Sequence, residues 1–212
     1  MSTILYFSPG SSSLAVHILL EEVGLPYRLE LVSAQERKPT EPAFLKINPK
    51  GRVPVLELDG VLLTEAPAIL FYLANTHPKA RLLPADPMGQ FRCLEWFNWV
   101  STTLHAIGYT QLWRPERFIH DSAHFNAISS KGRENIADAY RHIEILLSGR
   151  SWAVGDAYSC VDPYLLVFFL WGMTSGFAMQ ADYPAWSDVM VRVLSREAVQ
   201  RVLQQEDIRL PD

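Results

Sequence analysis

Ile4-Leu5-Tyr6-Phe7-Ser8-Pro9-Gly10-Ser11-Ser12-Ser13-Leu14 is the stretch on which the reading of this chain turns. Its apolar start reads as a buried strand, and Ser8-Pro9-Gly10 is strong turn chemistry. Three serines then lead into an apolar-periodic helix, where serine is a favoured N-cap. Backbone N–H groups and hydroxyls therefore collect at a helix start. Free donors and the helix dipole both favour an anion there, whether phosphate, carboxylate or thiolate. Three serines are also ordinary capping residues, so the neighbouring segments decide between the two.

The helix carries Leu14, Ile18 and Leu19 toward a core and Glu21-Glu22 toward solvent, then stops at Gly24. After Pro26, Tyr27, Leu29 and Leu31 alternate with Arg28 and Glu30 as a half-buried strand. Residues 33–40 are polar and charged and read as a loop; residues 41–46 read as a short helix before the turn Asn48-Pro49-Lys50-Gly51. A strand follows in Arg52-Val53-Pro54-Val55-Leu56-Glu57-Leu58, with Pro54 confined to its beginning or edge because proline cannot donate to a ladder. Asp59-Gly60 joins it to Val61-Leu62-Leu63 as a hairpin, and Glu65-Ala66-Pro67 opens a helix with Pro67 in its first turn. The order β-α-β, loop, β-β-α makes a small mixed sheet with helices packed on it.

Beyond Pro78, Pro84 and Pro87 the pattern becomes purely helical. Helices are expected at 90–105, 122–147 and 185–194, at 197–205, and from Ser159-Cys160-Val161-Asp162 through Trp171. In that last start Ser159 is the N-cap and Asp162 stands where a capping box usually has Glu or Gln. Residues 1–77 thus form an α/β domain, 78–88 a linker and 89–212 an all-α domain.

The 212 residues are 49% hydrophobic and 20% charged, the composition of an ordinary globular protein with a substantial core. A formal charge of −4 offers no general attraction to nucleic acid or anionic membrane surfaces. The start Met-Ser-Thr-Ile-Leu-Tyr lacks a signal-peptide pattern, and the longest apolar run, 164–172, is too short to span a bilayer, so a cytoplasmic location is expected. Cys93 and Cys160 read as small core residues rather than a disulfide or metal framework, and no metal is expected.

Taken in order and spacing, Ser8 to Leu14, His17-Ile18, Asn48-Pro49-Lys50-Gly51-Arg52-Val53-Pro54, Leu63-Thr64-Glu65 and Ser159-Cys160-Val161-Asp162 with Tyr164 resemble a cytosolic glutathione transferase, most of all the bacterial beta-type branch. The resemblance covers essentially the whole chain. It implies a thioredoxin-like N-terminal domain that binds glutathione as co-substrate and an all-α C-terminal domain that shapes the pocket for a small-molecule electrophile. It also implies a homodimer. By the same resemblance Pro54 is cis and the Val53 backbone pairs with the peptide's cysteinyl unit. Glu65 then holds the γ-glutamyl ammonium, and the Ala66 amide binds its carboxylate. Arg52 belongs to the same glutathione-binding segment, as does Arg37 or Lys38 for the glycyl carboxylate.

Beta-type enzymes carry cysteine at the position of Ser12, and the tyrosine used by other classes falls at Phe7. Tyr6 should point to the opposite face of its strand. Thiol activation therefore passes to the serines, ranked Ser12, Ser13, Ser11. Ser12 can donate a hydrogen bond but cannot form a mixed disulfide, which favours conjugation. His105 matches the family's functional histidine and Asn98 a ligand-proximal asparagine, although the region up to Trp113 is one residue longer than usual. Tyr109 and Trp113 are the acceptor-pocket candidates, with Trp96 expected to be buried packing. The alternatives are a glutathione-dependent isomerase or dehalogenase on the same thiol site, and a non-catalytic glutathione or hydrophobe carrier or regulator of the same fold.

Overall fold

Side-chain alternation along the first strand gives the N-terminal sheet two covered faces: Phe7 meets the His17 ring at 6.0 Å, and Tyr6 meets Phe44 at 6.0 Å from the other side. The computed structural model describes residues 2–32 and 42–210. Its first half runs β1 (Thr3–Phe7), α1 (Ser13–Val23), β2 (Arg28–Leu31), α2 (Pro42–Ile47), β3 (Val55–Leu58), β4 (Val61–Thr64) and α3 (Ala66–Thr76). The sheet order is β2-β1-β3-β4, with β1 parallel to β2 and antiparallel to β3, and β3 antiparallel to β4. Leu5 lies opposite both Leu29 and Leu56, so an apolar row crosses the sheet. Asp59 and Gly60 both adopt positive φ, 47° and 85°, as a two-residue primed hairpin turn requires. Gly24 ends α1 in the left-handed conformation at φ 67°.

Glu21 and Glu22 do not face solvent. Arg196 binds Glu22 through Nε and Nη2 at 2.6 and 2.8 Å, and Arg201 Nε binds Glu21 at 2.9 Å. The helical half supplies this cover: α4 (Pro87–Trp99), a π-wound segment (Val100–Tyr109), α5 (Thr110–Trp113), α6 (Phe125–Leu147), α7 (Asp162–Thr174), α8 (Met179–Asp182), α9 (Pro184–Leu194) and α10 (Glu197–Gln205). α4 begins inside the expected linker because the Asp86 carboxylate accepts the Gly89 N–H at 2.7 Å and Pro87 fits the first turn. Nor does the helix stop at His105. It continues to Trp113 through the π segment, where the Thr110 N–H reaches back to the His105 carbonyl. Such wide turns concentrate at functional sites.

Every residue of α7 from Asp162 to Leu170 is buried, which explains why it shows no polar face in sequence. Its start is a reciprocal cap. Asp162 accepts the Ala153 N–H at 2.8 Å, the Ser159 N–H at 2.7 Å and the Ser159 hydroxyl at 2.9 Å, while Ser159 Oγ accepts the Val161 N–H at 3.3 Å. Burial pushes the Asp162 carboxyl up to about 6, against these hydrogen bonds, which favour the carboxylate. Cys93 and Cys160 are free and buried, and their thiols meet in the core. The capped start is tied to the linker by the Cys160 N–H donating to the Leu82 carbonyl at 2.8 Å.

Candidate functional site

The serine turn is built by a small set of hydrogen bonds whose donors can be counted. Ser13 Oγ donates to the Ser8 carbonyl at 3.0 Å, because a carbonyl can only accept. It also accepts the Ser8 N–H at 3.2 Å. The Ser11 and Ser13 hydroxyls are 2.8 Å apart, and Ser13 has already spent its proton, so Ser11 donates across that contact. Ser11 Oγ in turn accepts the Ser13 N–H at 3.2 Å. Ser12, at the N-cap of α1, makes no side-chain hydrogen bond with any described residue, although it is only 7% exposed. Of the three hydroxyls, Ser12 alone keeps a proton to give a ligand. Ser13, ranked second in sequence, is fully buried and holds the turn together; Ser11 is occupied beside it.

The peptide just before the serines is gripped from both sides by the helical half. Gly10 N–H donates to Glu206 Oε2 at 2.9 Å, and the Gly10 carbonyl accepts from Trp171 Nε1 at 2.7 Å. Gly10 has φ 66°, a conformation open to glycine without strain. The other Glu206 oxygen lies 2.8 Å from His17 Nδ1, and both side chains are fully buried. His17 Nε2 is 2.8 Å from the Tyr27 hydroxyl, which donates to Glu21 at 2.6 Å. No periodicity in the sequence signals this network, because it joins segments at opposite ends of the chain.

Val53-Pro54 is a cis peptide, and β3 starts at the next residue. The Val53 N–H and C=O make no hydrogen bond with any described residue. At the start of α3, Glu65 adopts φ 73°, a strained value for a residue with a Cβ. The Ala66 N–H has no described acceptor, as expected of a first-turn amide. The Glu65 carboxylate is exposed and receives Lys50 Nζ at 2.6 Å; the same ammonium donates to Thr64 Oγ1 at 2.8 Å. This lysine was not singled out in sequence, and only its place in the Asn48–Arg52 turn beside the Thr64-Glu65 pair hinted at it.

His105 packs edge-on against Trp171 at 5.1 Å and Phe168 at 5.7 Å, which brings it beside the ring that binds Gly10. Burial, reinforced by the charges of Arg52 and Arg117, holds its imidazole down to about 4, against the opposite pull of Glu65. It is therefore neutral at pH 7. Trp113 meets Trp171 edge-on at 4.9 Å and is partly buried, so it contributes to the aromatic wall. Tyr109 does not line a pocket. It has no exposed surface, and its hydroxyl is hydrogen-bonded to that of Tyr140 in the core, so it backs the wall from behind. Trp96 is buried packing, as expected. Asn98 is exposed on α4 with its amide donating to the Leu94 carbonyl at 2.9 Å, and no described contact links it to the serine turn. Tyr6 donates to Glu57 at 2.9 Å, on the sheet face away from Phe7. Arg37 and Lys38 lie outside the described residues. Among the described residues no group of three or more His, Cys, Asp or Glu could hold a metal, and no helix is long and apolar enough to cross a membrane.

Comparison with known proteins gives one consistent result. Residues 1–75 match the family Glutathione S-transferase, N-terminal domain, and residues 118–197 match Glutathione S-transferase, C-terminal domain. A glutathione S-transferase of Escherichia coli O157:H7 is 31% identical over 97% of this chain and 99% of its own length. Among solved structures, a glutathione transferase homolog from Sulfitobacter with bound glutathione superposes with a TM-score of 0.90 at 33% identity, over 96% of this chain and 98% of that one. A bacterial beta class glutathione S-transferase from Sphingomonas chungbukensis gives 0.83 at 31% identity, over 97% and 100%.

Proposed function

Because the chain belongs to the glutathione S-transferase family, we propose that it conjugates glutathione to an electrophilic acceptor, with the Ser12 hydroxyl stabilising the attacking thiolate. The observation that carries the assignment is the donor count in the turn, which leaves Ser12 as the one serine with a hydroxyl proton to offer. A free cysteine-type thiol has a pKa of about 8.5, and a hydrogen bond to its ionised form lowers that value. The dipole of α1 acts in the same direction.

The rest of the peptide fits the surrounding groups. The unpaired Val53 backbone is available for strand-like pairing with the cysteinyl unit. Glu65, which pairs with Lys50 Nζ, takes the γ-glutamyl ammonium, and the Ala66 amide takes the α-carboxylate. The neutral His105 lies beside the pocket as a donor or acceptor rather than as a cation. The acceptor rests against the aromatic wall of Trp113 and Trp171, which favours a flat, largely apolar electrophile.

Ultraviolet titration of the enzyme–glutathione complex tests the reading. Thiolate absorbance is expected to appear with a midpoint one to two units below the free value of about 8.5. Binding with an unshifted midpoint would turn the chain into a carrier and remove the conjugation mechanism.

We also propose that the functional unit is a homodimer. Val61 and Leu62 on β4, Tyr72 on α3, and Met88 and Phe91 on α4 are large apolar side chains each at least 40% exposed, more than a lone protomer needs to leave in water. Sedimentation of the wild type is expected at twice the mass of one chain, with Phe91→Glu shifting it toward the monomer; a monomeric wild type at micromolar concentration would reject the dimer.

A further inference from the structure

We propose that Lys50 is a specificity residue for glutathione: its ammonium receives the α-carboxylate of the γ-glutamyl end, alongside the Ala66 amide, while Glu65 takes the neighbouring ammonium. The inference rests on the placement of the γ-glutamyl end at Glu65 given above and adds the group that reads its other charge.

A rigid turn delivers Lys50 to this place. Asn48 is 3% exposed, and its side chain accepts the Lys50 N–H at 3.2 Å and donates to the Arg52 carbonyl at 2.7 Å. The Gly51 N–H closes the same turn on the Asn48 carbonyl at 2.9 Å. Thr64 lies opposite Val55 in the β3–β4 pair, so Glu65 and the cis Val53-Pro54 peptide emerge at one end of that hairpin. Lys50 Nζ bridges the turn and the start of α3 there, 2.8 Å from Thr64 Oγ1 and 2.6 Å from Glu65 Oε1. The pairs Arg92–Glu95, Lys131–Glu134 and Arg141–Asp138 join neighbours on one helix. The Lys50–Glu65 pair instead ties together two segments that border the Val53 backbone.

Each partner in that pair is half spent. An ammonium has three N–H donors, and Thr64 and Glu65 take two of them. Glu65 gives Oε1 to the lysine, while its Oε2 makes no hydrogen bond with any described residue. Both side chains are more than half exposed, so a ligand can reach them. A simple cation gains little from a carboxylate that a lysine already neutralises. A zwitterion gains twice: its ammonium meets Oε2, and its carboxylate meets the third N–H of Lys50, in an array of four alternating charges. A γ-linked glutamyl residue keeps both charges on one carbon. An ordinary peptide N-terminus carries only the ammonium, so the array favours the γ-linked tripeptide over its α-linked relatives.

Two analogues of glutathione separate the charges. 4-Aminobutanoyl-cysteinyl-glycine lacks only the α-carboxylate, and glutaryl-cysteinyl-glycine lacks only the ammonium. By calorimetry the wild type is expected to bind glutathione at least tenfold more tightly than the aminobutanoyl analogue. Lys50→Met should weaken glutathione binding about tenfold, as for one charge-assisted hydrogen bond, and leave the aminobutanoyl analogue unchanged or bound more tightly. Lys50→Arg, which keeps the charge, should retain most of the preference. The thiol midpoint of the saturated Lys50→Met complex should stay at the wild-type value, which a distorted site would not preserve.

Equal weakening of glutathione and the aminobutanoyl analogue in Lys50→Met would overturn the proposal, because the lysine would then serve only the turn. Unchanged glutathione affinity in that variant would overturn it as well. An error in the placement of Glu65 reads out separately: the glutaryl analogue would bind the wild type as tightly as glutathione does, while the Lys50→Met comparison would still decide the carboxylate.

Discussion

Asp162→Ala is expected to unfold about 10 °C below the parent protein, a loss of roughly 3–5 kcal/mol. The magnitude follows from what the carboxylate leaves behind. Three donors, the Ala153 and Ser159 N–H groups and the Ser159 hydroxyl, converge on it where water does not reach. Removing the acceptor strands all three in the core, at about 1–3 kcal/mol each before any rearrangement. Asp162→Asn separates hydrogen-bond acceptance from volume. The amide fills the same space but turns an NH2 toward donors, so it too should lower Tm by several degrees. A calorimetric scan in which Asn behaves like the parent would mean that packing, not the cap, holds the start of α7.

Ser12→Ala should lower kcat for conjugation about 100-fold while leaving glutathione affinity within a few-fold, the pattern of a donor that acts on developing charge rather than on the bound peptide as a whole. The thiol midpoint should move back toward about 8.5 in the same variant. The fold should be unaffected, because the Ser12 hydroxyl supports no other described group. Parental turnover in Ser12→Ala would transfer the role to another donor. Ser13→Ala is not an equivalent control: it removes the bracket between Ser8 and Ser11 and should distort the turn itself.

Local chemistry made much of this architecture readable in advance. The strand–turn–helix start, the Asp59-Gly60 hairpin and the Ser159–Asp162 cap all depend on a few adjacent residues and stand where expected, whereas the cis Val53-Pro54 bond was expected only from the family resemblance. The start of α4 was missed because Asp86 and Pro87 lie among other prolines and resemble linker until the Gly89 N–H is seen to be capped. The π-wound stretch was missed because its apolar pattern still passes for ordinary helix.

Glu21 and Glu22 were misread for a different reason. Amphipathic analysis assigns charged residues to water, and here their water is replaced by two arginines from the far end of the chain. Tyr109 was misread because an aromatic in an irregular stretch resembles a pocket residue until its hydroxyl is found against Tyr140. Among the serines, residue type alone could not choose. The choice rests on which of three protons is already spent, and that depends on contacts near 3 Å.

The grip on Gly10 has a consequence for how such chains recombine. Its two anchors, Trp171 and Glu206, stand 161 and 196 residues away from it in sequence. A crossover in the linker that joined this sheet to another helical half would carry every serine and still lose the shape of their turn, unless the incoming half brought an indole N–H and a carboxylate to the same two places. The two halves must therefore be inherited together, and a graft intended to change acceptor preference has to spare those two positions.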